Sequence, residues 1–112
     1  MQDEVRIEDL VEGSGKAAER GALITAHYTG WLEDGTEFDS SWKRGKPFEC
    51  VLSKNRVIQG WIVGLAGMRE GGRRRLWVPA ALAYGERQMG EYIKPHSNLV
   101  FEIELMQVLT RD

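Results

Sequence analysis

The stretch HYTGWLEDGTEFDSS, residues 27–41, predicts a β-hairpin and places one acid among aromatic side chains. The Asp34-Gly35 pair supplies the positive backbone angles that a tight turn between two strands requires. On the returning strand Asp39 directly follows Phe38, and Tyr28 lies on the strand before the turn. No metal-ligand cluster or nucleophile motif stands beside this carboxylate. The stretch therefore raises the question of which chemistry uses a single acid among aromatic rings.

Alternation of apolar and polar residues predicts further strands on both sides of the hairpin. Residues 5–9 predict a short first strand, and the pattern resumes from Ala22. The alternating sets are Ile24, Ala26 and Tyr28; Phe48, Cys50 and Leu52; Arg74, Leu76 and Val78; and Leu99, Phe101, Ile103 and Leu105.

One segment, NRVIQGWIVGLAGM at residues 55–68, predicts a helix. Asn55 is a suitable residue to cap its first turn. Gly60 and Gly64 each weaken a helix by up to about 1 kcal/mol relative to alanine, so the helix must be short and depend on packing. Its apolar stripe of helical period consists of Val57, Ile58, Trp61, Ile62 and Leu65.

These elements predict an α+β fold in one domain, residues 1–112. Five or six strands, mostly antiparallel, form a curved sheet whose apolar face wraps around the one short helix. Residues 40–47 are predicted as a polar loop, and residues 79–97 as a long irregular segment.

Composition excludes several classes of function. A formal net charge of −2 gives no overall attraction to nucleic acid or to an anionic membrane. Cys50 has no second cysteine to pair with, which indicates a reducing compartment. The N-terminus lacks the pattern of a signal peptide, and no stretch approaches the roughly 20 apolar residues of a membrane span. We therefore expect a cytoplasmic protein.

Five segments in a fixed order carry a resemblance over residues 13–109: HYTGWLEDGTEFDSS, KPF, VIQGW, AYG and PHSNLVFEIEL. In this order the chain resembles the FKBP-type peptidyl-prolyl isomerases, the macrolide-binding immunophilins. The resemblance implies an enzyme that accelerates rotation about X–Pro bonds and assists folding, without metal or cofactor. It also implies proline-containing peptides, unfolded proteins and the macrolides rapamycin and tacrolimus as partners, no nucleic acid or membrane, and a monomer.

The resemblance also implies the residues of the site. The catalytic group is Tyr28, Phe38, Asp39, Tyr84 and Phe101. The residues that bind the substrate are Phe48, Val57, Ile58, Trp61 and, through its backbone N–H, Ile93. Arg44 is expected to pair with Asp39, which stays ionised, accepts a hydrogen bond from Tyr28 and sets the field near the twisting amide. An acid among aromatic residues then needs no role in proton transfer.

The chain departs from the best-known pattern of this family at the rim. Arg56 stands where a glutamate often precedes the Val-Ile pair. The late loop is unusual at Met89, Glu91, Tyr92 and Lys94. Two other functions are compatible with the same residues: a module that binds proline motifs without turnover, and a chaperone that holds apolar segments.

Several other notable residues are predicted to have ordinary structural roles. His27 and His96 lie far apart in sequence and are interpreted as satisfied or surface histidines, not catalysts. In a strand only Arg73 and Arg75 of the arginine run share a face, which disfavours a polyanion site. Whether Trp31, Trp42 and Trp77 pack or bind a partner stays open at this stage.

Overall fold

The computed structural model describes residues 4–110, which contain six strands and three short helical segments. No helix in this range is long and apolar enough to cross a membrane. The strands are β1 (Arg6–Val11), β2 (Leu23–Leu32), β3 (Glu37–Ser40), β4 (Phe48–Val51), β5 (Arg73–Val78) and β6 (Leu99–Leu109); the helices are α1 (Ser41–Arg44), α2 (Gln59–Leu65) and a 3-10 turn (Ala80–Leu82).

All six strands form one antiparallel sheet in the order β1-β5-β6-β2-β3. Strand β4 also pairs with β2. It pairs with the first half of β2, while β3 pairs with the second half of β2. The predicted hairpin is confirmed: the Leu32 N–H donates to the Thr36 carbonyl at 2.8 Å, and Gly35 takes a φ of 91°. The predicted α+β fold, an open sheet around a short helix, is also confirmed.

One face of the sheet carries the core and packs on α2. The alternation predicted for β2, β5 and β6 is confirmed, because the same residues of each strand are buried. They include Ile24, Ala26 and Tyr28 of β2, Leu76 and Val78 of β5, and Leu99, Phe101, Ile103 and Leu105 of β6, packed against Trp61 and Leu65 of α2.

The predicted start of the main helix is wrong, and so is the cap at Asn55. Ile58 has extended backbone angles, so α2 begins only at Gln59, without a side-chain cap. The preceding backbone forms a turn instead, in which the N–H groups of Arg56 and Val57 both donate to the Ser53 carbonyl. Val57 and Ile58 fit the helical stripe because they pack against the core, not because they are helical.

The predicted polar loop at residues 40–47 contains the one-turn helix α1. Gly45 ends it in the left-handed conformation, and its N–H returns to carbonyl oxygens of the turn. Ser41 at its start is fully buried, which polarity alone would not indicate.

Strand β1 also runs later than predicted, and the irregular segment 79–97 contains the 3-10 turn and a bridge between Met89 and Ile93.

Helix α2 lies very close to strand β5 because two of its residues have no side chain. A Cβ at Gly64 would stand 2.6 Å from Leu76 Cδ1, and a Cβ at Gly60 would overlap Val78 Cγ1. Both separations are shorter than two carbon atoms that are not bonded to each other can tolerate. The glycines that lower the helix propensity of α2 are therefore what allows it to reach the sheet.

The arginine run of β5 divides between the two faces of the sheet, as predicted. Arg73 and Arg75 form ion pairs on the outer face with Glu104 and Glu102 of β6. Arg74 points inward and is buried, with its Nε 2.6 Å from an Asp9 carboxylate oxygen. It also donates to the carbonyl oxygens of Gly64 and Ala66 at the end of α2. Arg74 thus ties β1 and α2 to the sheet and is not part of a solvated surface.

We predict that Gly60→Ala lowers the free energy of unfolding by about 1–2 kcal/mol, although alanine favours helix. The helix gains up to about 1 kcal/mol in propensity, whereas an added methyl in a packed core costs about 1–3 kcal/mol. Urea unfolding of Gly60→Ala, Val78→Ala and the double variant gives the coupling energy between the two positions. Stabilisation by Gly60→Ala, or additive effects in the double variant, would contradict the close packing.

Candidate functional site

A cavity of about 110 Å³ opens at the end of the sheet where β3 and β4 approach α2. It is lined by Tyr28, Phe38, Asp39, Phe48, Arg56, Val57, Ile58, Trp61, Tyr84 and Phe101. The lining includes every side chain predicted from the resemblance for direct contact with substrate. Their roles in binding and turnover stay predictions.

Each wall of the cavity comes from a different element. Tyr28 belongs to β2, Phe38 to β3, Phe48 to β4 and Phe101 to β6, while Trp61 lies on α2. The buried Trp61 stands edge to face with Tyr28, Phe48 and Phe101, at centroid distances of 5.1, 5.8 and 5.5 Å. Such pairs stabilise by about 0.5–1.5 kcal/mol beyond their burial, so the rings hold one another in place.

Gly30 is a supporting residue that the sequence reasoning missed. It lies on β2 opposite Asp39 of β3 and Phe101 of β6. A Cβ there would stand 2.6 Å from Phe38 Cζ and 3.0 Å from Phe101 Cε1. Only glycine leaves room for these two rings to meet, at a centroid distance of 5.7 Å. A glycine inside a strand pattern was the available signal, since it often marks a close approach.

Asp39 is the one carboxylate in the lining, and two groups compensate its charge. The Tyr28 hydroxyl donates to one carboxylate oxygen, and the Arg44 guanidinium donates to the other. Arg44 also donates to the Tyr28 hydroxyl at 3.2 Å, which closes a three-residue network. The one-turn helix α1 makes this possible by bringing Arg44 back toward Asp39, five positions earlier in the chain.

Both tyrosines of the cavity remain protonated well above neutral pH. Burial, followed by the hydrogen bond to Asp39, raises the pKa of Tyr28 to about 12. Burial, followed by the negative charge of Asp39, also raises the pKa of Tyr84 above its ordinary value. Both hydroxyls therefore keep a proton that can be donated and do not act as bases near neutral pH.

Ser41 and His27 support Tyr28 from the outer side of the sheet. The Tyr28 N–H donates to the Ser41 hydroxyl oxygen at 2.7 Å, and His27 Nδ1 lies 2.8 Å from the same oxygen. The His27 ring stacks on Trp42 with centroids 3.8 Å apart. His27 therefore faces away from the cavity. His96 neither lines the cavity nor takes part in the contacts of His27 with Ser41 and Trp42.

Two N–H groups near the cavity differ from each other in their hydrogen bonding. Ile93 is buried but lies outside the lining, and its N–H donates to the Met89 carbonyl at 3.3 Å. The indole N–H of Trp61 has no acceptor within residues 4–110 and is surrounded by aromatic rings. In the same range no cluster of His, Cys, Asp or Glu side chains is arranged to hold a metal ion.

Comparison with known proteins gives consistent results over almost the whole chain. Residues 14–106 match the family model of the FKBP-type peptidyl-prolyl cis-trans isomerase. An FK506-binding protein of Neisseria meningitidis serogroup A is 53% identical over 102 residues, which cover 91% of this chain and 94% of that protein. FK506-binding protein 1 of Saccharomyces cerevisiae is 42% identical over 109 residues, with 96% of each chain covered.

Solved structures show the same fold. A peptidyl-prolyl cis-trans isomerase from Pseudomonas syringae superposes with a TM-score of 0.85 at 35% identity, covering 95% of this chain and 76% of that one. FkpA from Escherichia coli superposes with a TM-score of 0.86 at 37% identity, over 94% of this chain. This chain spans 48% of the FkpA chain. On these matches, the chain belongs to the family of FKBP-type peptidyl-prolyl cis-trans isomerases.

Proposed function

We propose that this protein accelerates cis–trans rotation about X–Pro bonds in peptides and unfolded chains, and that the reaction takes place in the aromatic cavity. One observation supports this most strongly. The cavity is a box of aromatic rings whose only carboxylate, Asp39, is already paired with Arg44 and Tyr28. Such a site suits a reaction in which no covalent bond is made or broken.

Rotation about an X–Pro bond is slow because the amide must lose its resonance, at a barrier of about 18–20 kcal/mol. The twisted amide has less charge separation than the planar one. An apolar box therefore binds the twisted state better than the planar ground state, which is the condition for catalysis. Lowering the barrier by about 5–6 kcal/mol raises the rate by roughly four decades.

The positions of the side chains in the cavity support the roles that we propose for them, and the role of the Ile93 N–H rests on the resemblance. Trp61 forms the floor under the proline ring, and Phe38, Phe48 and Phe101 form the walls. The Tyr84 hydroxyl and the Ile93 N–H hold substrate carbonyl oxygens. The Ile93 N–H must first leave the Met89 carbonyl, which costs little because that bond is long at 3.3 Å.

We propose further that rapamycin and tacrolimus bind in this cavity, and that the protein acts as a monomer in the cytoplasm. The name of the N. meningitidis and S. cerevisiae relatives, FK506-binding protein, supports the binding of tacrolimus, which is FK506. Cys50 supports a reducing compartment, because it has no second cysteine with which to form a disulfide within the chain. A mass well above 12.7 kDa by light scattering would contradict the monomer.

The first experiment is cis–trans exchange by NMR on a Leu-Pro or Phe-Pro peptide, with and without rapamycin. We expect catalytic amounts of protein to accelerate exchange and rapamycin to abolish the acceleration. Acceleration that rapamycin leaves unchanged would contradict macrolide binding only. No acceleration by the folded protein would overturn the proposed activity and favour a module that binds proline motifs without turnover.

We predict that Asp39→Leu lowers kcat/KM about tenfold while the protein stays folded, because the field of the carboxylate at the twisting amide is lost. Glu37→Leu is the matched control. Glu37 lies on the same strand and also forms an ion pair, with Lys43 at 2.5 Å, but does not line the cavity. Full activity of folded Asp39→Leu, or an equal loss in the control, would exclude this role.

We predict that kcat/KM loses less than half of its value as pH rises from 7 to 10. The pKa of Tyr28 is raised to about 12 and that of Tyr84 is raised above its ordinary value, so Tyr28 keeps its proton at pH 10 and Tyr84 is more than half protonated. A tyrosine in solution would be half ionised there. The same NMR exchange assay at each pH checks this. A fall with a midpoint near 10 would show that one of these hydroxyls titrates at its ordinary value.

A further inference from the structure

The cavity contains two ionisable charges, and only one of them is compensated. Asp39 is paired with Arg44 and accepts a hydrogen bond from Tyr28. Arg56 also lines the cavity and is exposed, and its guanidinium has no ion-pair or hydrogen-bond partner within residues 4–110. A proline held in this site therefore lies beside a cation whose charge no protein group offsets.

The backbone around Arg56 fixes where this cation starts from. The Arg56 N–H donates to the Ser53 carbonyl at 3.0 Å, and the Val57 N–H donates to the same oxygen at 3.2 Å. Val57 and Ile58, which follow directly, are half-buried in the lining. Arg56 is thus anchored at the cavity wall, and its side chain is exposed at the opening.

A second cleft beside the cavity contains charges of both signs. It is lined by Arg44, Lys46, Pro47, Phe48 and Glu49, and it shares Phe48 with the aromatic cavity. Glu49 accepts a hydrogen bond from Thr25, and Arg44 is paired with Asp39. The Lys46 ammonium has no acidic partner in the described part of the chain. The Glu49 carboxylate offsets the charge of Lys46 within this cleft, so the uncompensated positive charge beside the bound proline is that of Arg56.

We infer that Arg56 makes this site favour an acidic residue over its amide or a basic residue as the immediate neighbour of proline. A guanidinium matches a carboxylate with two parallel hydrogen bonds, which makes arginine a better partner for it than lysine. The inference rests on the proposed isomerase activity and names the substrate class of that same site. One exposed ion pair changes kcat/KM by about threefold, and salt screens the effect.

The test compares two series of short peptides with both ends blocked. One series carries Glu, Gln, Lys or Leu immediately before proline, and the other carries the same residues immediately after it. Exchange is measured by NMR with the wild-type protein, Arg56→Glu, Arg56→Gln and Lys54→Glu. Lys54 is the matched control, because it is exposed in the same turn but does not line the cavity.

In at least one series we expect the wild type to turn over the Glu peptide about threefold faster than the Gln peptide, and the Lys peptide more slowly. Arg56→Glu should reverse this order and Arg56→Gln should remove it, whereas Lys54→Glu should keep the wild-type order. At about 1 M salt the preference should nearly vanish, because charges are then screened within about 3 Å.

The outcomes separate the inference from the activity on which it rests. Equal rates for Glu, Gln and Lys peptides, with the Leu peptides accelerated, would overturn the inference alone. Equal shifts in Arg56→Glu and Lys54→Glu would also overturn it, because the effect would then come from net charge. No acceleration of any peptide by the wild type would overturn the proposed activity together with the inference.

Discussion

Helix α2 can approach strand β5 as closely as it does only because Gly60 and Gly64 have no side chains, and the cavity depends on that approach. Their missing Cβ atoms leave the space that Val78 and Leu76 fill. This contact sets the height of Trp61 above the sheet. A larger separation would move the indole away from the rings of Tyr28 and Phe101, which now hold it edge to face. A short, intrinsically weak helix is thus stabilised by the same packing that builds the floor of the site.

Strand β2 pairs with two different strands along one edge, and this pairing brings the walls of the cavity together. Strand β2 pairs with β4 along its first half and with β3 along its second half. The segment between β3 and β4 leaves the sheet at this point and contains the one-turn helix α1, which carries Arg44. The edge therefore brings Phe48, Phe38 and Asp39 to one opening, with the cation that pairs with Asp39 directly beside them.

This arrangement keeps the interior of the cavity close to neutral and leaves positive charge at its rim. The network of Tyr28, Asp39 and Arg44 contains one carboxylate and one guanidinium in contact. Burial and the nearby carboxylate also keep Tyr28 protonated and neutral, so the network gains no second negative charge near neutral pH. Arg56 at the rim has no such partner within residues 4–110. The proposed rotation of the amide and the proposed recognition of the residues beside it would thus involve different groups of the same cavity.

Much of the fold was predictable, because strands with one buried face show it directly in their alternation. The buried sets of β2 and β6, and the Asp34-Gly35 hairpin, were read correctly from residue order alone. The start of α2 was not, because Val57 and Ile58 fit a helical stripe equally well when they pack against the core from the turn and the extended residue that precede the helix. Helix α1 was missed for a related reason: three polar residues and one tryptophan give no periodicity, and their conformation depends on the burial of Ser41.

The sequence by itself determined which residues are apolar, where the chain turns, and the family to which the ordered motifs point. Only the tertiary structure decided which side chains meet. Arg74 and Arg75 are adjacent and chemically identical, yet one ties β1 to α2 and the other pairs with Glu102 on the outer face. Asp39 and Arg56 are both charged residues of the lining, yet only Asp39 finds a partner of opposite charge. The physical reason is that ion pairs and ring contacts act over a few ångströms, and those distances are fixed by strand register and helix packing.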